Sequence, residues 1–245
     1  MSNSINMHIS DYSRVMKSHL RQFTPFRKNY TEARVIIFRN YKIAYVPIPK
    51  CANSSIRAAL LPLINIKPSS VSRIQEFEGF EELNLRQFLR NDFSNDWFVF
   101  CVVRNPYSRF ASAYLDKLVN RHEVLRPLRR MGLKKEDSFF RYMKMLNMWP
   151  LDARNEHFAP QSRLVSKMGY LPDLSYYKFE ALSTQWEIIR DEITKRSSIS
   201  ILKLEQRNKS KSNMDWHDLY CDESKKLADK MAVDDFKNFD YEMAL

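Results

Sequence analysis

The stretch Ile43-Ala44-Tyr45-Val46-Pro47-Ile48-Pro49-Lys50-Cys51-Ala52-Asn53-Ser54-Ser55-Ile56-Arg57 constrains this chain more than any other. An apolar, β-prone run is broken at two prolines. One lysine follows, then small residues from Cys51 to Ser55, then a helix-compatible segment. A strand of this kind delivers the chain to a sharp turn, and the turn opens a helix. Backbone N–H groups at such a turn, backed by the positive end of the helix dipole, suit a phosphate-sized anion. The chain has only three glycines, Gly79, Gly132 and Gly169, and none lies in the turn. A glycine-rich phosphate loop and a GxGxxG dinucleotide fingerprint are therefore both excluded.

A second strand–turn–helix signal lies further on. Trp97 to Val103 is a continuous apolar run, the pattern of a strand buried on both faces in a parallel sheet. It ends in Arg104-Asn105-Pro106, where Asn105 suits an N-cap and Pro106 the first helical position. The helix after it carries Tyr107, Phe110, Ala111, Tyr114 and Leu118 toward a core. Open α/β sheets bind ligands at the carboxyl ends of their strands, which is where Lys50 and Arg104 both fall. Two such units together can hold one ligand with two anionic groups. The competing reading leaves each cation as the cap of a surface turn. A nucleotide kinase would need an acidic residue at the second strand end to manage a metal ion, and here that position is Arg104.

The remaining chain fills in a scaffold. Arg34–Phe38 and Lys42–Val46, joined by Arg39-Asn40-Tyr41, read as a hairpin or a bent strand pair. Asn53 or Ser54 suits the N-cap of the next helix, whose buried stripe is Ile56, Ala59, Leu60 and Leu63. Ser10–Phe23 reads as an amphipathic helix with Ile9, Val15, Met16, Leu20 and Phe23 toward the protein. Its Arg14, Lys17 and Arg21 then form a solvated face or a basic rim for an acidic acceptor. Helices are predicted over Phe77–Asn91, Ser138–Met148, Ser183–Thr194 and Ser224–Phe236, and strands over Tyr176–Phe179 and Ile199–Leu204. Alternating strands and helices predict an α/β fold with a mostly parallel central sheet flanked by helices. No repeat or boundary appears, so residues 1–245 read as a single domain, with 1–33 as a helical extension packed on it.

The formal net charge of +11 calls for an anionic partner. Arg121–Lys135 holds six cationic side chains against one carboxylate, a net +5 that suits an anionic glycan acceptor. The run lacks interleaved aromatics and no reader motif is present, so a nucleic-acid partner is not expected. Cys51, Cys101 and Cys221 give no disulfide framework, which points to a reducing compartment. No apolar run reaches the ~18 residues that span a bilayer, and Met1–His8 lacks the apolar core of a signal peptide. A cytoplasmic location is the resulting expectation. Nothing in the sequence bears on oligomeric state.

At these residues the chain resembles a known family. Pro49-Lys50-Cys51-Ala52-Asn53-Ser54-Ser55 is similar to the 5′-phosphosulfate loop of sulfotransferases. Val103-Arg104-Asn105-Pro106-Tyr107-Ser108-Arg109-Phe110-Ala111-Ser112-Ala113-Tyr114 is similar to their 3′-phosphate motif, an Arg followed by a Ser eight residues on. The match is best to the carbohydrate sulfotransferases of the chondroitin and HNK-1 type and their bacterial relatives. Asn155-Glu156-His157-Phe158-Ala159-Pro160-Gln161 resembles that group's His-aromatic-x-Pro segment. Lys178-Phe179-Glu180 and the tail with Tyr220, Glu223, Asp235, Phe239 and Tyr241 resemble its later landmarks.

The resemblance implies a P-loop-like nucleotide-binding fold. It also implies 3′-phosphoadenosine 5′-phosphosulfate (PAPS) as donor and in-line sulfuryl transfer to a carbohydrate or other hydroxyl, without a metal. Cys51, Ala52, Asn53, Ser54 and Ser55 would cradle the 5′-phosphosulfate, and Lys50 would neutralise the leaving oxygen. Arg104 and Ser112 would bind the 3′-phosphate. Asn208, in the basic loop Arg207–Lys211, would cover the nucleotide. His157 is the first candidate for the base that takes the acceptor proton; Glu156, Glu76, Glu78 and His122 are the alternatives. Cys51 reads as a small loop residue, not a nucleophile. Two rival functions remain open at this level: a P-loop-like nucleotide kinase, and a basic polyanion- or nucleotide-binding module without turnover.

Overall fold

The computed structural model describes residues 8–21, 34–165, 174–204 and 215–243. In chain order the regular elements are α1 (Ile9–Leu20), β1 (Arg34–Phe38), β2 (Ile43–Val46), α2 (Asn53–Leu60), β3 (Glu82–Asn84) and α3 (Leu85–Asn91). Then come β4 (Phe98–Val103), α4 (Pro106–Tyr114), α5 (Arg126–Arg130), α6 (Phe139–Met148) and α7 (Gln161–Val165). The last are β5 (Leu174–Lys178), α8 (Leu182–Ser197), α9 (Asp222–Met231) and α10 (Val233–Asn238). The described residues fall into two compact units, each built from separate segments of the chain.

The sheet unit comprises residues 32–105 and 164–211. Its five strands run in the order β3-β1-β2-β4-β5. The predicted parallel centre is present: β2 pairs with β4, and β4 with β5, both parallel. β1 and β3 add an antiparallel edge. The sheet is thus mixed, because the hairpin of β1 and β2 closes through a 3-10 turn with Lys42 left-handed (φ 51°). All six residues of β4 are buried, as a strand covered on both faces requires. Helix α2 buries Ile56, Ala59 and Leu60, with Leu63 just beyond it, which is the expected stripe.

Two sequence expectations change here. Phe77–Asn91 is not one helix. Glu82–Asn84 pairs with β1, and the helix starts only at Leu85, because Asn84 accepts from the Gln87 N–H at 2.8 Å in a capping box. Ile199–Leu204 lies outside the sheet. Its carbonyls are taken by side chains of α8: Trp186 Nε1 donates to Leu202 O at 3.0 Å and Arg190 Nε to Ile201 O at 3.2 Å. A strand-like composition has become a strap across a helix.

The helical unit comprises residues 1–31, 106–163 and 212–245. Its core joins Tyr107, Phe110, Ala111, Tyr114 and Leu118 to Leu128, Phe139, Tyr142, Leu146, Phe158 and Phe236. A π-helical turn over Leu115–Val119 extends α4 and keeps Leu118 inside. The predicted Ser224–Phe236 helix is two helices, α9 and α10, with a break at Ala232.

Helix α1 overturns the expected orientation. Ile9, Met16 and Leu20 are 89%, 65% and 62% exposed, whereas Asp11 is 1% exposed. Phe23 lies outside the described residues. Only Val15 of the expected apolar face packs on the core. The cause is an ion pair: Arg141 Nη2 donates to Asp11 Oδ2 at 3.0 Å, and His19 Nε2 lies 3.2 Å from Met148 O. A buried carboxylate held by a guanidinium fixes which side of the helix faces inward, since leaving it unpaired is costly.

Candidate functional site

The turn after β2 makes without glycine the conformations glycine usually supplies. Lys50 (φ 73°) and Ala52 (φ 56°, ψ 16°) are both left-handed. A side chain there costs roughly 1–2 kcal/mol per residue, and such outliers concentrate at functional sites. Asn53 and Ser54, the expected caps, sit inside the first turn of α2. Ala52 is the cap residue and supplies no side-chain hydrogen bond.

Neighbours hold the turn's polar side chains. Tyr45, fully buried on β2, donates its hydroxyl to Asn53 Oδ1 at 3.2 Å, and burial raises its pKa well above the usual phenol value. Gln75 Nε2 donates to Ser54 Oγ at 2.9 Å. The Cys51 N–H donates to Ile48 O at 3.3 Å, and its Sγ lies 3.7 Å from Pro49 O. Cys51 is wholly buried, so its part is to close the turn. Behind it, burial pushes the Cys101 thiol up. Arg57, further along α2, anchors the helix through Glu82 Oε1 at 2.7 Å and Phe77 O at 3.0 Å.

Arg104 stands at the end of β4, next to β2 in the sheet. Its Nη1 donates to the Lys50 carbonyl at 3.3 Å, so the two sequence motifs meet in one place. Its guanidinium lies over the Phe179 ring, 4.5 Å from the centroid. The Asn105 N–H donates to Glu180 Oε1 at 2.8 Å. Phe179 and Glu180 therefore seat the second turn, a role the sequence pattern did not assign them. Within the sheet unit, Lys50, the small residues Cys51–Ser55 and Arg104 form one cluster.

Ser112 and His157 belong to the helical unit. Ser112 is half-buried on α4. One turn earlier on the same helix, Arg109 is 2% exposed. It donates Nη1 to Ala159 O at 2.7 Å and Nη2 to Glu156 O at 3.0 Å. Asp235 grips the other end of that loop, accepting from Gln161 N at 2.8 Å and Ser162 N at 2.7 Å. Desolvation outweighs these bonds and raises the Asp235 pKa. The pair Arg109 and Asp235 thus fixes the loop that carries His157. In the sequence Arg109 stands within the second motif and Asp235 among the tail landmarks, but no local pattern encodes their joint hold on this loop.

His157 itself is oriented by Asn155, whose Oδ1 accepts from the His157 N–H at 3.2 Å and lies 2.6 Å from Nδ1. An amide oxygen can only accept, so Nδ1 carries the proton and Nε2 bears the lone pair in the neutral ring. Arg154, just before this loop, is pulled down to about 10 by burial. Glu76 is exposed and pairs with Arg73 at 3.3 Å, and His122 is also exposed. Asn208 and its basic loop lie outside the described residues. Among the described residues, no group of three His, Cys, Asp or Glu is placed to hold a metal ion.

These features define an α/β protein with a strained, glycine-free turn at the carboxyl edge of its parallel strands, followed by a helix N-terminus, and a basic residue after each of two of those strands. The profile of the Sulfotransferase family matches residues 33–242, and the chain belongs to that family. It is accordingly an enzyme of sulfuryl transfer, acting on a hydroxylated acceptor. No curated protein and no solved structure gives a significant match. No helix among the described residues is long and apolar enough to cross a membrane.

Proposed function

We propose that the protein transfers the sulfuryl group of PAPS to a hydroxyl of a carbohydrate, in line and without a metal ion. The observation that carries the donor assignment is the bond from Arg104 to the Lys50 carbonyl. It joins the candidate 5′-phosphosulfate turn to the candidate 3′-phosphate cation, and a donor with two separated anionic groups needs both. The residues fit such a donor: a helix N-terminus with no side-chain cap, a lysine, and an arginine seated by an aromatic ring. When bound, the donor supplies the activated sulfuryl group.

The chain's own residues do the rest. Amides from Ala52 to Ser55 bind the 5′ anion, with Cys51 closing the turn. Lys50 neutralises charge on the departing bridge oxygen. Arg104 and Ser112 hold the 3′-phosphate, and Asn208 is kept as a candidate contact to the nucleotide. His157 Nε2 takes the acceptor proton, its ring set by Asn155. The carbohydrate class rests on the His-aromatic-x-Pro segment and on the basic charge of the chain. A titration of unfolding temperature tests the donor. The temperature should rise with 3′-phosphoadenosine 5′-phosphate and stay flat with equal ATP. An equal rise with both would reject the donor assignment.

A further inference from the structure

The inverted orientation of α1 leaves a face that the transfer reaction does not use. Ile9, Tyr12, Met16 and Leu20 are 89%, 53%, 65% and 62% exposed. Their spacing of three, four and four residues puts them on one stripe of the helix. At ~1.5 Å per residue the stripe is about 16 Å long. They make up four of the eight exposed large hydrophobic residues among the described ones. The opposite face is occupied: Asp11 is paired with Arg141, Ser18 is buried, and Val15 packs on the core. The helix cannot turn its stripe inward without stranding that carboxylate.

The border of the stripe is cationic. Lys17 and Arg21 are exposed along one edge, and the Arg14 side chain is 46% exposed beyond them. On the docking side α1 meets Gly132, where a Cβ would fall 2.1 Å from Arg14 Nη1. Gly132 (φ 88°) sits within the +5 run, whose Arg129, Arg130, Lys134 and Lys135 are exposed. The sequence alone had offered that run to an anionic acceptor. Gly132 thus brings that run against the face of α1 that carries Asp11 and Arg14, while Lys17 and Arg21 line the stripe's own edge.

We propose that α1 is a docking surface for an anionic phospholipid membrane, lying in the interface with the stripe among the acyl chains and the cations at the headgroups. An apolar face bordered by Lys and Arg, with a tyrosine at its margin, is the pattern of helices that lie in a bilayer surface. Charge argues against a second copy as the occupant. Stripe-to-stripe pairing would bring two cationic borders of a +11 chain together. An acidic protein partner would not need four large apolar side chains in a row.

The test is flotation of the full chain with vesicles of phosphatidylcholine containing one quarter phosphatidylglycerol, against phosphatidylcholine alone. The parent should float with the anionic vesicles and not with the neutral ones. The triple variant Ile9→Ser, Met16→Ser, Leu20→Ser should lose about tenfold in partitioning, with unchanged unfolding temperature and unchanged stabilisation by 3′-phosphoadenosine 5′-phosphate. The pair Lys17→Glu, Arg21→Glu provides a second variant with the stripe intact and should lose about thirtyfold or more. Three outcomes overturn the proposal: no flotation of the parent, triple-variant partitioning equal to the parent's, or a parent dimer in sedimentation that the triple variant dissolves. Because donor binding is read separately, failure here is distinct from failure of the donor assignment.

Discussion

The two turns at the carboxyl edge of the sheet do similar work by opposite means. The Lys50 turn is held by its own backbone. It accepts left-handed conformations at Lys50 and Ala52, and its support comes mostly from nearby: Tyr45 eight residues back and Gln75 twenty-one residues from Ser54. The Arg104 turn has no such strain and is held from a distance. Its partners are the Lys50 carbonyl 54 residues away, the Phe179 ring, and Glu180, 75 residues from Asn105. One turn stores conformational energy to aim a lysine. The other uses packing to aim an arginine. The difference suits the proposed roles, because a lysine that meets charge only as a bond breaks must be pre-set. A binding arginine needs its guanidinium plane fixed.

Four substitutions can break or sharpen this contrast, from the largest effect to the smallest. Lys50→Ala should lower kcat by about 10²–10³ while donor affinity changes far less; a loss confined to affinity would make the first turn a binding element like the second. Arg104→Ala should weaken binding of 3′-phosphoadenosine 5′-phosphate by roughly 2 kcal/mol, about thirtyfold, in calorimetry. Unchanged affinity would remove Arg104 from the nucleotide site. Ala52→Gly should relieve the left-handed backbone and raise stability by about 1 kcal/mol, an increase of roughly 2–4 °C in unfolding temperature. A fall would mean that the turn carries no strain at this position. Phe179→Leu should keep the fold and lose about 0.5–1 kcal/mol of nucleotide affinity, the worth of an exposed cation–π contact. An effect on kcat instead would show that the remote support reaches the first turn.

Much of this was legible in the chain itself. The hairpin, the all-buried β4, the buried stripe of α2 and the span of α6 all stand where local pattern put them. Each depends on periodicity or capping within a few residues. The candidate site was legible to the same depth: Lys50 and Arg104 were visible because each ends an apolar run. Their meeting through a carbonyl was not, nor was the seating of Arg104 by Phe179. The grip of Arg109 and Asp235 on the His157 loop was equally invisible. These contacts join residues separated by tens of positions, and no periodicity encodes them.

The sequence by itself determined the parallel strands, the turns that end them and the family to which the chain belongs, because those features are written in neighbouring residues. Tertiary structure alone decided three things. It made Ile199–Leu204 a strap, since α8 side chains claim its carbonyls. It moved the cap of α2 from Asn53 or Ser54 to Ala52, while Tyr45 engages the Asn53 oxygen and Gln75 the Ser54 hydroxyl. It turned α1 over, since Arg141, 130 residues away, pairs with Asp11 and carries that carboxylate inside. The common reason is the cost of a buried polar group without a partner. A distant donor or acceptor that meets this need can override an apolar pattern, as it does on α1.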